Sequence, residues 1–261
     1  MNHPNRTAIV TGAAQGIGRR TAELLAENGY AVALIDLRSA ASVAAALHDK
    51  KATVLDFQGD ISNEATVADF AAKVEREWNH VDLLVNNAGI SCISPAEETS
   101  VQQFRRVLEI NLTAPFILAR TFGRKMIARG KGSIVNVASI AGLVGIADRT
   151  AYNASKHGLI GLTRTLAAEW GAMGVRVNAV CPGWVKTEMD VADQSSGGYT
   201  DADIIRRVPM ARFASPDDIA EAILFLADDR RSGFVNGHTL VVDGGWTSDG
   251  SWESLRLRHR A

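Results

Sequence analysis

The chain is poor in cysteine, has no long apolar run and carries almost no net charge, and each shortage removes a class of function. Its two cysteines, Cys92 and Cys181, lie far apart without a CxxC pair. That spacing argues against a disulfide framework or a zinc site and fits a reducing, cytoplasmic setting. Six histidines are scattered with no HExxH spacing, so no metal is expected. A formal charge of -1 over 261 residues offers neither a basic face for nucleic acid nor an acidic tail. No uninterrupted apolar stretch is long enough to span a membrane, and the first residues run into a strand with no apolar signal segment. Pro- or Ser-rich linkers and internal repeats are also missing, which leaves a single domain.

What the chain does have is a regular alternation of strand and helix patterns. With 46% hydrophobic residues it can bury a sizeable core. Apolar, β-branched runs at 7–11, 31–36, 52–56, 82–86, 133–138, 175–180 and 239–242 read as strands. Helical patterns fall between them at 17–28, from about 40 to 47, and at 64–78, 102–129, 151–170 and 216–226, with Pro115 permitting a kink in the long one. Strands this apolar are buried on both faces. The pattern therefore predicts a doubly wound, Rossmann-type α/β fold, a parallel sheet of about seven strands flanked by helices. Two stretches break the rhythm. Residues 188–208 are polar and glycine-containing and are expected to form a mobile substrate loop. Residues 246–261 form a tail rich in Trp and Arg.

The first strand ends in Thr11-Gly12-Ala13-Ala14-Gln15-Gly16-Ile17-Gly18, which leads into the first helix. Glycines there permit a tight turn and let a pyrophosphate reach backbone amides at a helix N-terminus. Asp36 ends the second strand, where a carboxylate accepts hydrogen bonds from ribose hydroxyls and repels a 2′-phosphate. That favours NAD, with Arg38 as the residue that would serve NADP instead. Asp60-Ile61 follows the third strand and is placed to meet the adenine edge, or Asp60 merely caps the next helix.

Tyr152 and Lys156 lie one helical turn apart on one face. A phenol with a pKa near ~10 is a poor base at neutral pH, and an ammonium beside it favours the phenolate. Ser139 could hold the oxygen of a substrate alcohol or carbonyl. That set can move a proton on oxygen while a hydride moves on carbon.

These residues together with Asn86-Asn87-Ala88-Gly89, Asn111 and Pro182-Gly183-x-x-x-Thr187, in this order along nearly the whole chain, resemble the short-chain dehydrogenase/reductase family. The resemblance implies Tyr152 as general acid/base and Lys156 as the group that lowers its pKa and binds the nicotinamide ribose. It further implies Ser139 positioning the reacting oxygen and Asn111 supporting a water-linked proton relay through Lys156. Gly12, Gln15, Gly16, Ile17, Gly18, Asn87, Ala88, Gly89, Pro182 and Gly183 are expected to line the cofactor, with Val185 and Thr187 at the nicotinamide amide. It also implies a homotetramer built through the helices at 102–129 and 151–170 and the C-terminal segment.

For the substrate, Arg149, three residues before Tyr152, could pair with a carboxylate, unless it is a solvated loop arginine or tied to a neighbouring acid. Trp246 and Trp252 suggest that the tail docks, and Arg256, Arg258 and Arg260 would bring positive charge to a neighbouring site. The 188–208 loop is too polar for a steroid or long-acyl pocket, although Trp184, Met189 and Val191 leave room for an apolar wall. The expectation is an NAD-dependent oxidation of a small polar substrate, best matched by a sugar-derived hydroxy acid or 2-keto-3-deoxy sugar acid. Polyol oxidation, 3-oxoacyl-thioester reduction and non-catalytic dinucleotide sensing are the competing expectations.

Overall fold

The structure, a computed structural model, describes residues 6–195, 199–252 and 255. In chain order its elements are β1 (Thr7–Thr11), α1 (Gly16–Glu27), β2 (Ala31–Asp36), α2 (Ala41–Asp49), β3 (Val54–Gln58), α3 (Glu64–Glu77), β4 (Leu83–Asn86), α4 (Val101–Leu108), α5 (Ala114–Arg129), β5 (Gly132–Val137), α6 (Thr150–Trp170) and β6 (Val175–Pro182). They continue with α7 (Glu188–Gln194), α8 (Asp201–Arg207), α9 (Pro216–Ala227), the single turn α10 (Asp229–Ser232) and β7 (Thr239–Val242). The seven strands form one parallel sheet in the order β3-β2-β1-β4-β5-β6-β7. After β3 the chain returns to the far side of β1, so a crevice opens at the carboxyl ends of β1 and β4, where such sheets bind ligands.

Alternation along the buried strands divides the core into two layers. Ala8, Val10 and Leu34 face α1, α2 and α9, through Leu25, Leu47 and Ile223. Ile9, Ile35 and Ile134 face α3, α5 and α6, through Phe70, Phe122 and Leu166. All five residues of β1 are buried, whereas both edge strands are partly open. Burial on both faces thus holds rigid the strand whose end carries the glycine turn.

Two regions depart from the pattern read in the sequence. The expected helix over 102–129 is split by a π-helical turn, Glu109–Thr113, between α4 and α5. Pro115 has no N–H to return to the carbonyl of Asn111 four residues earlier, so an unbroken α-ladder is impossible at that point. Within 188–208, expected as a substrate loop, the described residues include two short helices, α7 and α8. Thr187 caps α7, and Thr200 with Asp203 forms a capping box on α8. The third strand also begins two residues later than its apolar run suggests.

Candidate active site

The cofactor end is built mainly from backbone. Gly12 has a φ of +66° and Gly16 one of +54°, conformations that side chains resist. A Cβ on Gly12 would stand 2.8 Å from the Ala88 Cα, and one on Gly18 would stand 2.0 Å from the Gly12 carbonyl oxygen. Thr11 fixes the adjoining loop by accepting the N–H groups of Asn87 and Ala88 at 3.0 and 2.9 Å. Asn87 in turn donates to the carbonyls of Thr11 and Gly12 at 2.9 and 3.1 Å. α1 starts at Gly16 with no side-chain cap and no acid in its first turn. Its N-terminal amides therefore carry the positive end of the helix dipole at the cleft. A cradle that a Cβ on Gly12 or Gly18 would fill, closed by an uncapped helix start, fits a dinucleotide pyrophosphate.

Asp36 does not simply project into the cleft. One oxygen accepts the Ala14 N–H at 2.9 Å and the other the Arg38 N–H at 2.9 Å, so the carboxylate also fixes the turn. The Arg38 guanidinium lies across to Gln15 Oε1. Asp60 is held by Arg106 at 2.9 Å and by the Ser62 hydroxyl at 2.6 Å. Burial pushes its carboxyl up, but the hydrogen bonds from Ser62 and Arg106 outweigh that and leave it below the usual carboxylate range. Ile61 beside it is buried.

The proton-transfer end gathers Ser139, Tyr152, Lys156 and Asn111. The Ser139 hydroxyl lies beside the half-buried Tyr152 phenol and accepts the Ala141 N–H at 3.1 Å. Lys156 is buried, and its ammonium donates to the Val137 carbonyl at 2.8 Å. Desolvation pushes it down to about 8. Burial raises the Tyr152 phenol, while the Ser139 hydroxyl and the Arg149 charge oppose that rise. The Lys156 ammonium sits 5.5 Å from the Tyr152 ring centre while it donates to the Val137 carbonyl.

Asn111 lies inside the π turn, fully buried. Its side chain accepts from the Ile90 N–H at 2.9 Å and donates to the Ile90 carbonyl at 3.0 Å and to Ser155 Oγ at 3.1 Å. These bonds occupy the side chain in structure, and Pro115 has no N–H to offer its backbone carbonyl. Asn111 and Lys156 meet at Gly89, where a Cβ would lie 3.2 Å from Asn111 Oδ1 and 3.7 Å from Lys156 Nζ.

At the substrate end, Arg149 is only 7% exposed. Its Nη1 donates to Ser91 Oγ and to Asp193 Oδ2, both at 2.8 Å, and its guanidinium stands 5.8 Å from the Trp184 ring. The arginine is therefore not open at the mouth of the site. The carboxylate anticipated from a substrate is supplied by α7. Trp184 packs edge-on against Tyr199 at 4.9 Å, and Tyr199 donates to Asp190 at 3.2 Å, with Lys186 3.1 Å from the same acid. Pro182 ends β6, and a Cβ on Gly183 would strike Asp243 at 2.8 Å. Val185 pairs with Ala214 in an isolated bridge, and Thr187 caps α7.

One cleft of about 330 Å³ runs from Asp36 and Asp60 past Ser139 and Tyr152 to Asp193 and Tyr199. It also takes in Arg106 and Ser91, which were not singled out in the sequence. Ser91, two residues past Asn87-Ala88-Gly89, was the more legible of the two. Trp246 lies under the Arg207 guanidinium at 4.6 Å, and Trp252 is 72% exposed. Arg256, Arg258 and Arg260 lie outside the described residues. Among the described residues no cluster of His, Cys, Asp or Glu could hold a metal, and no helix is long and apolar enough to cross a membrane.

A family profile described as enoyl-(acyl carrier protein) reductase matches residues 12–247. The chain belongs to the short-chain dehydrogenase/reductase family. It is 40% identical over 244 residues to the D-threitol dehydrogenase of Mycolicibacterium smegmatis, covering 93% of both proteins. To the cis-4-hydroxycyclohexanecarboxylate dehydrogenase of Sinomonas cyclohexanicum it is 44% identical over 245 residues, covering 93% of this chain and 97% of that one. A solved structure from Beutenbergia cavernae, provisionally described as an NAD(P)-dependent gluconate 5-dehydrogenase with NADP at low occupancy, superposes with a TM-score of 0.88 at 40% identity. It covers 94% of this chain and 98% of that one. As a short-chain dehydrogenase/reductase, the protein is an oxidoreductase acting on alcohols.

Proposed function

We infer that the protein is an NAD-dependent dehydrogenase that oxidises a secondary alcohol of a small polyhydroxylated substrate. The observation that carries this reading is one cleft with the glycine turn and Asp36 at one end and the Ser139–Tyr152 pair, backed by Lys156, at the other. The nicotinamide group supplies the hydride acceptor when it is bound. Gly12, Gly16, Gly18 and the start of α1 would hold its pyrophosphate, and Asp36 its adenosine ribose. Ser139 Oγ holds the reacting oxygen, and Tyr152 Oη takes the proton from it. Lys156, already pushed down to about 8, exchanges a proton near neutral pH, and Asn111 would support its water-linked passage to solvent.

A polar substrate is supported by the lining of Arg149, Asp190, Asp193 and Tyr199, and by relatives named for threitol and gluconate oxidation. With Arg149 paired to Asp193, support shifts from a sugar acid to uncharged hydroxyls at this end. Acid oxidation is the second reading, favoured by the relatives named for a hydroxycyclohexanecarboxylate and for gluconate, itself an acid. Acyl-thioester reduction, suggested by the description of the family profile, fits these ionic walls less well.

NAD is favoured by the Asp36 carboxylate. NADP is the second reading, because Arg38 rests on Gln15 at the same corner and the Beutenbergia structure holds NADP. Free thiols at Cys92 and Cys181 support a reducing, cytoplasmic setting. Exposed Phe116 on α5 and Phe234 near the β7 edge support a homotetramer, which light scattering would test.

NADH formation on a panel of polyols, aldonates and keto-deoxy acids tests the reading. Turnover on a polyol that disappears in Tyr152→Phe, with NAD binding kept, is expected. NAD binding without turnover on any alcohol would instead indicate a sensing protein.

A further inference from the structure

We propose that Asp193 sets the charge preference of the site. By occupying Arg149 from α7 it makes the substrate end accept uncharged polyhydroxylated molecules and exclude carboxylates, and its removal turns Arg149 into an anion site. This deepens the function proposed above and rests on it.

Arg149 is fixed from the catalytic side. Its backbone forms a bridge with Ser94, the preceding Asp148 adopts a φ of +58°, and its carbonyl accepts the Ser94 N–H at 2.8 Å. This strained turn aims the guanidinium inward, at Ser91 and over Trp184, three residues before Tyr152. A guanidinium buried this far is costly without a counter-charge. The chain provides one not from adjacent Asp148 but from Asp193, 44 positions away on a separate short helix, at 2.8 Å. The pair joins the fixed frame to the element that walls the substrate end.

That geometry treats the two kinds of ligand differently. Among the described residues both Arg149 bonds leave from Nη1, and a guanidinium has five N–H donors. Substrate hydroxyls can therefore accept from the remaining N–H groups without breaking the pair. A carboxylate meets Asp193 as a like charge. Forked onto the remaining N–H groups of Arg149, it would stand beside that acid, whose side chain is itself only 17% exposed. Setting two like charges against one buried guanidinium is how a site rejects a ligand it could otherwise hold.

The test compares a polyol with the aldonate of the same chain length, using kcat/KM for NADH formation in wild type and in Asp193→Asn. The aldonate-to-polyol ratio should rise about tenfold or more in the variant, whatever happens to polyol turnover itself. Asp193→Ala, with cofactor binding as the check on folding, should raise the same ratio. In wild type a tartrate-like dicarboxylate should inhibit polyol oxidation no better than a neutral polyol of equal length binds. An unchanged or lower ratio in both variants overturns the proposal, as does strong dicarboxylate inhibition or an outright aldonate preference in wild type. If wild type oxidises neither substrate, the function proposed above fails instead.

Discussion

The two ends of the cleft are made of different materials. The cofactor end is backbone: glycines at positive φ, amides at a helix start, and loops pinned by Thr11 and Asn87 at the end of a fully buried strand. The substrate end is side chains on short helices, held by the Arg149–Asp193 pair, the Tyr199–Asp190 bond and ring packing on Trp184. In the first, added bulk at Gly12 or Gly18 has nowhere to go, because the nearest contact a Cβ would make there is with a main-chain atom. In the second, one exchange of an acid for an amide rewrites the charge without touching the backbone. A fold can thus keep one cofactor site and vary its substrates.

Substitutions at the boundary between the two ends should have the largest effect. Tyr152→Phe is expected to lower kcat by about 10²–10⁴-fold while leaving cofactor binding intact, read by NADH formation and by titration of the cofactor. Loss of cofactor binding in that variant would mean the two ends are not separable. Within the cofactor end, Asp36→Ala should weaken NAD by about tenfold and NADP much less, as measured by calorimetry. Equal weakening of both would show that the carboxylate acts through its bond to the Ala14 amide rather than on the ribose.

Gly18→Ala tests how unyielding the backbone end is. A Cβ 2.0 Å from the Gly12 carbonyl oxygen should cost about 1–3 kcal/mol of stability, seen as a fall in denaturant midpoint together with weaker cofactor binding. The smallest expected effect is at the substrate end and appears in pH dependence. The Arg149 charge lowers the Tyr152 phenol and the Asp193 charge raises it. Arg149→Gln removes the first and leaves the second, so the phenol ionises at higher pH and the rise of oxidation rate with pH moves upward. A shift downward would mean that Arg149 does not act on Tyr152.

The same contrast explains what could be read in the sequence. The strand–helix alternation, the glycine turn and the ordered motifs were legible because they are local or fixed by burial, and they lead to the observed sheet and family. The partner of Arg149 was not, because Asp193 looked like one polar residue among several in a stretch rich in Ser, Gly and Asp. Its helix becomes visible only through the Thr187 cap. Arg106 was hidden likewise: on a helix surface nothing distinguishes it from other arginines until the fold brings Asp60 to it. The π turn left a trace in Pro115, but five residues are too few to separate its period from that of an α-helix.

That turn also acts as a length code between two distant tasks. Upstream of it, Arg106 on α4 clasps Asp60 beside the adenosine end, and inside it Asn111 holds Ile90 and borders Lys156. Deleting one residue from Glu109–Thr113 would remove the extra residue of the π turn and swing everything before the cut by about 100° relative to α5. Arg106 would then point away from Asp60 while Tyr152 and Ser139 stayed in place. The spacing of one helix, counted in residues, therefore keeps the Arg106–Asp60 clasp in phase with the Ser139–Tyr152 end of the cleft.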